Sequence, residues 1–173
     1  MIDGFKEVEK YVSLSPMQKI LLTTDGSITR IFEALTGEKV SVSTEEQRVI
    51  PADGNIAKTL HIDPGDDVNF RVVYLKNSKG VLAHATSYAP LKRIEEGFKD
   101  RIMKADISIG KIMAELKIEA RREIVSCAVV HADKRLADLF KVPESSTLLK
   151  RNYNIIHKNA VLLNITEIFG DLD

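Results

Sequence analysis

Tryptophan is absent, and Cys127 is the single cysteine. One thiol rules out an internal disulfide, and without a CxxC pair or a Cys/His spacing there is no zinc pattern. Cys127 lies in the apolar run Val125-Ser126-Cys127-Ala128-Val129-Val130, the setting of a buried, inert thiol. No stretch approaches the roughly 20 apolar residues of a membrane-spanning helix. The N-terminus, MIDGFKEVEK, lacks the apolar core of a signal peptide. A surplus of one charge is missing too, since 25 basic and 25 acidic residues cancel. Such a chain lacks the broad positive field of a nucleic-acid-binding or membrane-surface protein, although a local basic pocket remains compatible with it. His61, His84, His131 and His157 are scattered, with no metal spacing and no GxSxG serine, so neither a metal site nor a nucleophilic triad is expected. The expectation is a cytoplasmic protein with no metal, no nucleic acid and no membrane among its partners.

What is present is one domain's length of chain, 173 residues with 44% hydrophobic and 29% charged, enough to bury a core without staples. Ser15-Pro16 reads as the start of a helix running to about Thr23. After the turn Thr24-Asp25-Gly26-Ser27, the apolar spacing Ile28, Ile31, Phe32, Leu35 predicts a second helix, ended by Thr36-Gly37. Strands are expected over 40–50, 68–75, 81–89, 121–131, 148–156 and 160–169. Short helices are expected over 55–60, 108–116 and 133–140, and a helical segment over 91–103. Hairpin-like connections imply a largely antiparallel sheet of about six strands with helices packed on it, an α+β fold.

The chain repeats itself. Shifted by 80 residues, Val49, Ala52, Asp53, Ala57, Arg71, Val81, Leu82 and Thr86 fall on Val129, Ala132, Asp133, Ala137, Arg151, Val161, Leu162 and Thr166. Shifted by 81, the helix beginning Ser27-Ile28 falls on the one beginning Ser108-Ile109. The register holds across helices, strands and turns, which chance similarity of secondary structure does not produce. A single domain, 1–173, is therefore read as internally duplicated, with repeats of about 15–90 and 97–170. The copies differ at an informative place: Arg71 has a twin in Arg151, but the counterpart of Glu167 is Ser87. Glu167 ends an apolar strand, so it either faces water on an edge or is buried and then paired or protonated. The two matched helix starts offer either ordinary caps or N–H groups, near Ile28 and Ile109, that converge on one anionic ligand.

Thr24-Asp25-Gly26-Ser27-Ile28-Thr29-Arg30-Ile31-Phe32-Glu33 with Val40-Ser41-Val42, the strand Phe70-Arg71-Val72-Val73-Tyr74-Leu75, the helix start Ile107-Ser108-Ile109-Gly110 and the last strand Leu162-Leu163-Asn164-Ile165-Thr166-Glu167-Ile168-Phe169 resemble the chorismate lyases in the same order. The archaeal branch, which looks like a source of 4-hydroxybenzoate for methanopterin-type cofactors, is the most similar. The resemblance implies conversion of chorismate to 4-hydroxybenzoate and pyruvate with no cofactor. It implies Arg71 holding a substrate carboxylate, Glu167 as a protonated acid at the departing ether oxygen, Ile28 and Ile109 at the pocket, and Arg121 as a further basic residue near the site. Two features depart from the bacterial pattern: Thr86 stands where a further arginine is expected, and their tryptophans are missing. A second resemblance, carried by Ala132-Asp133-Lys134-Arg135-Leu136-Ala137-Asp138-Leu139-Phe140-Lys141-Val142-Pro143, is to the UTRA effector domains of bacterial repressors, which bind small molecules without catalysis. The short segment before residue 14 leaves no room for a DNA-binding domain, which favours the enzyme. From the repeat it follows that 15–90 and 97–170 should superpose through a near-twofold rotation; an experimental structure with matched segments in unrelated conformations would refute the duplication.

Overall fold

The protein, described from a computed structural model over residues 4–104 and 106–170, opens with helix α1 (Phe5–Tyr11). Then come α2 (Pro16–Thr23), α3 (Ile28–Thr36), β1 (Ser41–Pro51), α4 (Gly54–Leu60), β2 (Asp67–Asn77) and β3 (Gly80–Pro90). A 3-10 turn (Leu91–Arg93) leads into α5 (Glu96–Lys104), α6 (Ile109–Glu115), β4 (Arg121–His131), α7 (Lys134–Phe140), β5 (Thr147–His157) and β6 (Ala160–Phe169). All six strands form one sheet in the order β1-β2-β3-β6-β5-β4, every neighbouring pair antiparallel. This is the α+β architecture that the chain's alternation of elements implied. No helix among the described residues is long and apolar enough to cross a membrane.

The register carries the repeat in detail. Thr44 faces Val73 and Ile124 faces Tyr153, the same pairing moved by 80 residues. Each of these ladders then skips one residue, between Thr44 and Glu46 in β1 and between Ile124 and Ser126 in β4. The hairpins match likewise, Arg71 opposite Ser87 and Arg151 opposite Glu167. In the central pair, Thr86 faces its own counterpart Thr166. A twofold axis between matching strands must cross them at such a self-pair.

Local chemistry sets the ends of the elements. Ser15 and Gln18 form a reciprocal capping box in front of Pro16. Asp53 and Asp133 accept from the first-turn amides of α4 and α7, and His61 and Lys141 close those helices in the left-handed region. The segment expected to be helical over 91–103 breaks at Ile94-Glu95. Arg93 anchors the turn by donating to the carbonyls of Leu60, His61 and Val161, while Ile94 is buried in the core. Helix α1 was not foreseen; its one buried residue, Val8, packs with Leu21, Leu22 and Cys127.

The sheet separates two layers. On one face, α2, α3, α5 and α6 cover the central strands through Leu21, Leu22, Phe32, Phe98, Ile102 and Ile112, all 1% exposed or less. On the other lie α4 and α7, packed through Ala57, Leu60, Ala137 and Phe140. The site lies on the first face. At the head of α1, Gly4 has φ +77°, and a Cβ there would stand 2.2 Å from the Cys127 carbonyl oxygen. Gly4→Ala is expected to cost about 1–2 kcal/mol for the left-handed backbone alone, plus displacement of α1 from β4. Urea unfolding measures the loss, and exposure of the Cys127 thiol to a maleimide reports the detachment.

Candidate active site

Arg71 on β2 and Arg151 on β5 are both 1% exposed. A guanidinium that deep must be satisfied by the protein. Arg151 Nη1 donates to Leu21 O at 2.7 Å and Thr24 O at 2.9 Å, carbonyls at the C-terminal end of α2. Such carbonyls lack intrahelical donors and carry partial negative charge. Arg71 does the corresponding work in the first half. Its Nη1 and Nη2 each donate to Ile107 O at 3.2 Å, and Nη2 reaches Thr44 Oγ1 at 3.2 Å. Burial lowers the Arg71 pKa and the nearby Asp106 charge opposes that shift, so the group remains a cation. Each arginine thus fixes the loop leading into α3 or α6.

Glu167 is 3% exposed on β6, a central strand. Its Oε2 accepts from Arg151 Nε at 2.6 Å, and its Oε1 from the Tyr153 hydroxyl at 3.0 Å. Of the alternatives open to this residue, the buried and paired one is realised. Burial, and then the Glu167 charge, push the Tyr153 phenol far up, so it acts as a donor. The Arg151 guanidinium carbon lies 4.9 Å from the Tyr153 ring centroid and 5.7 Å from that of Phe169.

Arg71, Glu167, Ile28 and Ile109 all line one cavity of about 70 Å³ between the sheet and the starts of α3 and α6, and it opens to solvent. A Cβ placed on Gly110 would stand 3.9 Å from Ser27 Oγ, so the two helix starts approach closely. Ser108 caps α6 through Lys111 N, whereas Ser27 makes no such cap. The walls come in repeat-related pairs: Val42 and Arg122, Val73 and Tyr153, Leu75 and Ile155, Ala85 and Ile165, Ser87 and Glu167. The first member of each pair is small or apolar. The second half contributes Arg122, Tyr153 and Glu167.

Arg121 does not line the cavity. It pairs with Glu123 at 2.8 Å on the opposite face, and its neighbour Arg122 faces inward. The skipped residue in β4 is the reason, since it reverses which residues point in. Thr86, which replaces an arginine of the bacterial pattern, lies outside the cavity lining, in the self-pair with Thr166. Sequence reasoning missed Arg151, Tyr153 and Arg122 as site residues. The signal for Arg151 was its identity with Arg71, and Tyr153 follows by strand alternation.

Residues 22–172 match the family described as chorismate pyruvate-lyase Rv2949c-like. A protein of Methanocaldococcus jannaschii provisionally named a lyase, MJ0807, is 38% identical over 174 residues, covering 96% of this chain and 86% of its own. The chain belongs to this family. In fold it is similar to the effector domain of PhnF from Mycobacterium smegmatis, with a TM-score of 0.73 at 17% identity, covering 86% of this chain and 90% of the other. The longer PhnF structure gives 0.72 at 16% identity over 85% of this chain, which spans 64% of that one. The ligand-binding domain of a GntR-family regulator from Bordetella bronchiseptica matches at 0.64 and 15% identity, covering 76% and 83%. The family's lyase name and the regulators' ligand-binding fold thus meet in one architecture.

The Arg151–Glu167 pair sets a stability test. Arg151→Leu leaves a buried carboxylate without its cation and is expected to cost about 3–5 kcal/mol in urea unfolding. Arg151→Leu with Glu167→Leu should recover more than half of that loss. A double variant no more stable than the single one would show that the pair is not the source.

Proposed function

We infer that the protein removes pyruvate from chorismate and leaves 4-hydroxybenzoate. The observation that carries this reading is a cavity with apolar walls, two arginines and one carboxylate, in a chain of this family. The substrate is a dicarboxylate with a cyclohexadiene ring. Its C3–O ether bond breaks and the electron pair leaves with the enolpyruvyl oxygen. The C4 hydrogen departs as a proton and the ring becomes aromatic. The enolpyruvate takes up one proton at its methylene carbon and becomes pyruvate. Atoms and electrons balance within the substrate, so the protein needs only to orient it and to carry a proton.

Arg71 holds the ring carboxylate through the planar donor geometry of a guanidinium. Ile28 and Ile109 close the apolar walls around the ring. Glu167, as a carboxylate oriented by Arg151 and Tyr153, accepts the C4 proton and returns it to the enolpyruvate. This reading differs from the protonated acid at the ether oxygen that the family resemblance implies, and rests on Arg151 lying against the carboxyl group. Aromatisation supplies the driving force. The archaeal relative is in keeping with 4-hydroxybenzoate feeding a methanopterin-type cofactor.

The test is incubation with chorismate and detection of both products. Glu167→Gln keeps the size of the side chain and removes the base, so kcat should fall about 10²–10⁴-fold with KM little changed. Arg71→Ala should raise KM and lower kcat together, since it also releases the Ile107 loop. A Glu167→Gln enzyme with near-normal kcat would assign Glu167 to positioning alone. A wild-type protein that binds small carboxylates without turnover would instead support the second reading, a binding domain like the regulators' effector domains, which the shared fold favours.

A further inference from the structure

A dicarboxylate needs two cationic contacts, and Thr86, where the bacterial pattern has its second arginine, does not line the cavity. Arg122 is the other guanidinium on the wall. It belongs both to the inner cavity and to the wider cleft outside it, which runs between α3 and α6. Arg122 Nη1 donates to Asp25 O at 3.1 Å, in the loop before α3. A Cβ on Gly110 would lie 3.6 Å from Nη2, so the group spans the gap between the two helix starts. Among the described residues Arg122 has no carboxylate within salt-bridge distance, unlike Arg121 with Glu123, Arg135 with Glu45, and Arg151 with Glu167.

Its position relative to the reacting centre is also fixed. Ile124 faces Tyr153 and Arg122 faces Ile155, so Arg122 shares the inward face with Tyr153. The Tyr153 hydroxyl donates to Glu167, and the Arg122 charge is felt at that phenol, where it opposes the upward push of burial and of Glu167. Arg122 therefore stands on the Tyr153–Glu167 side of the cavity, at its mouth. The matching residue of the first half is Val42, so this cation exists on one wall only.

We propose that Arg122 is the specificity-determining anchor for the second carboxylate, the one on the enolpyruvyl group, and so selects diacids over monoacids. This rests on the lyase reading for the identity of the diacid. The ring carboxylate survives in the product and stays with Arg71. The enolpyruvyl carboxylate leaves with pyruvate, and Arg122, half-exposed and facing the outer cleft, is the residue along that exit. After cleavage the remaining 4-hydroxybenzoate has nothing for Arg122 to hold.

Two ligands separate the proposal from a general loss of binding. One is 4-hydroxybenzoate, a monoacid. The other is 3-(1-carboxyvinyloxy)benzoate, an aromatic diacid with the same enolpyruvyl ether and no hydrogen to lose at a saturated ring carbon. Calorimetric titration of wild type, Arg122→Gln and Arg122→Lys gives the dissociation constants, with melting curves to confirm that each variant is folded. Arg122→Gln is expected to weaken the diacid about ten- to a hundredfold, the size of one charge-assisted contact, while shifting 4-hydroxybenzoate less than about twofold. Arg122→Lys should fall between, since it keeps the charge and loses the fork. In steady state, the Gln variant should show KM for chorismate raised by a similar factor and kcat changed far less. Equal weakening of both ligands, unchanged diacid binding, or no binding of either by the wild type would overturn the proposal. If wild type fails to turn over chorismate while the diacid difference persists, the lyase reading falls and the Arg122 subsite stands. Normal turnover without that difference removes Arg122 alone.

Discussion

The contact between Arg151 and Glu167, 2.6 Å long and almost wholly buried, ties the site to the fold. A carboxylate in the middle of a sheet is tolerable only with a cation against it, and a buried cation needs acceptors of its own. Arg151 answers both needs by spending Nε on Glu167 and Nη1 on the carbonyls of Leu21 and Thr24. The end of α2, the loop before α3 and the carboxylate are therefore one bonded unit. Position of the candidate base and closure of the cavity wall cannot vary independently. Arg71 makes the parallel connection to Ile107, so both helix starts are held from beneath by guanidinium groups of the sheet.

The symmetry of that arrangement sets where this cavity lies, and the differences between the halves make it one-sided. Both halves bring the same register, the same skipped residue and the same arginine. They meet at Thr86 and Thr166, and the hollow lies across their junction. With identical halves, an asymmetric ligand could bind equally well either way round. Val42, Val73 and Ser87 leave room on one wall, whereas Arg122, Tyr153 and Glu167 fill the other with charge and hydrogen-bonding groups. A directional elimination needs such a difference, because the proton and the leaving group depart from different ring carbons.

The chain's own pattern made much of this legible. The helix start at Ser15-Pro16, the apolar spacing from Ile28 to Leu35 and the hairpin-like connections placed most of the elements, and the repeat drew attention to the pairs of matching segments. Glu167 drew notice because its counterpart is a serine. What escaped has a physical cause in each case. The segment 91–103 carries helix-forming residues, but Arg93 is captured by carbonyls distant in sequence. Helix α1 carries an apolar stripe, Phe5, Val8 and Val12, that packs in the core, but over only seven residues the pattern is too short to stand out in the sequence. The exchange of Arg121 for Arg122 follows from the irregularity at Val125. Counting back from the inward-facing Cys127 by twos reaches Arg121, while the extra residue turns Ile124 and Arg122 inward instead. Nothing in a period-two pattern marks such a residue.

The same fold serves ligand-binding domains of regulators, and the distance between binding and catalysis is short for the reaction proposed above. An elimination that ends in an aromatic ring requires no metal-like activation of substrate and no covalent intermediate. Its barrier falls when the ring is held with the breaking bonds aligned and a base is within reach. A cavity between two helix starts, with Arg71 and Arg122 on its walls, offers a way to meet the first requirement. In the proposed reaction the second falls to Glu167, which Arg151 holds from behind. That arginine is part of the scaffold in both halves, since its counterpart Arg71 anchors the other helix start in the same way. Glu167 against Ser87, Tyr153 against Val73 and Arg122 against Val42 are the differences that make the two walls of the cavity unequal.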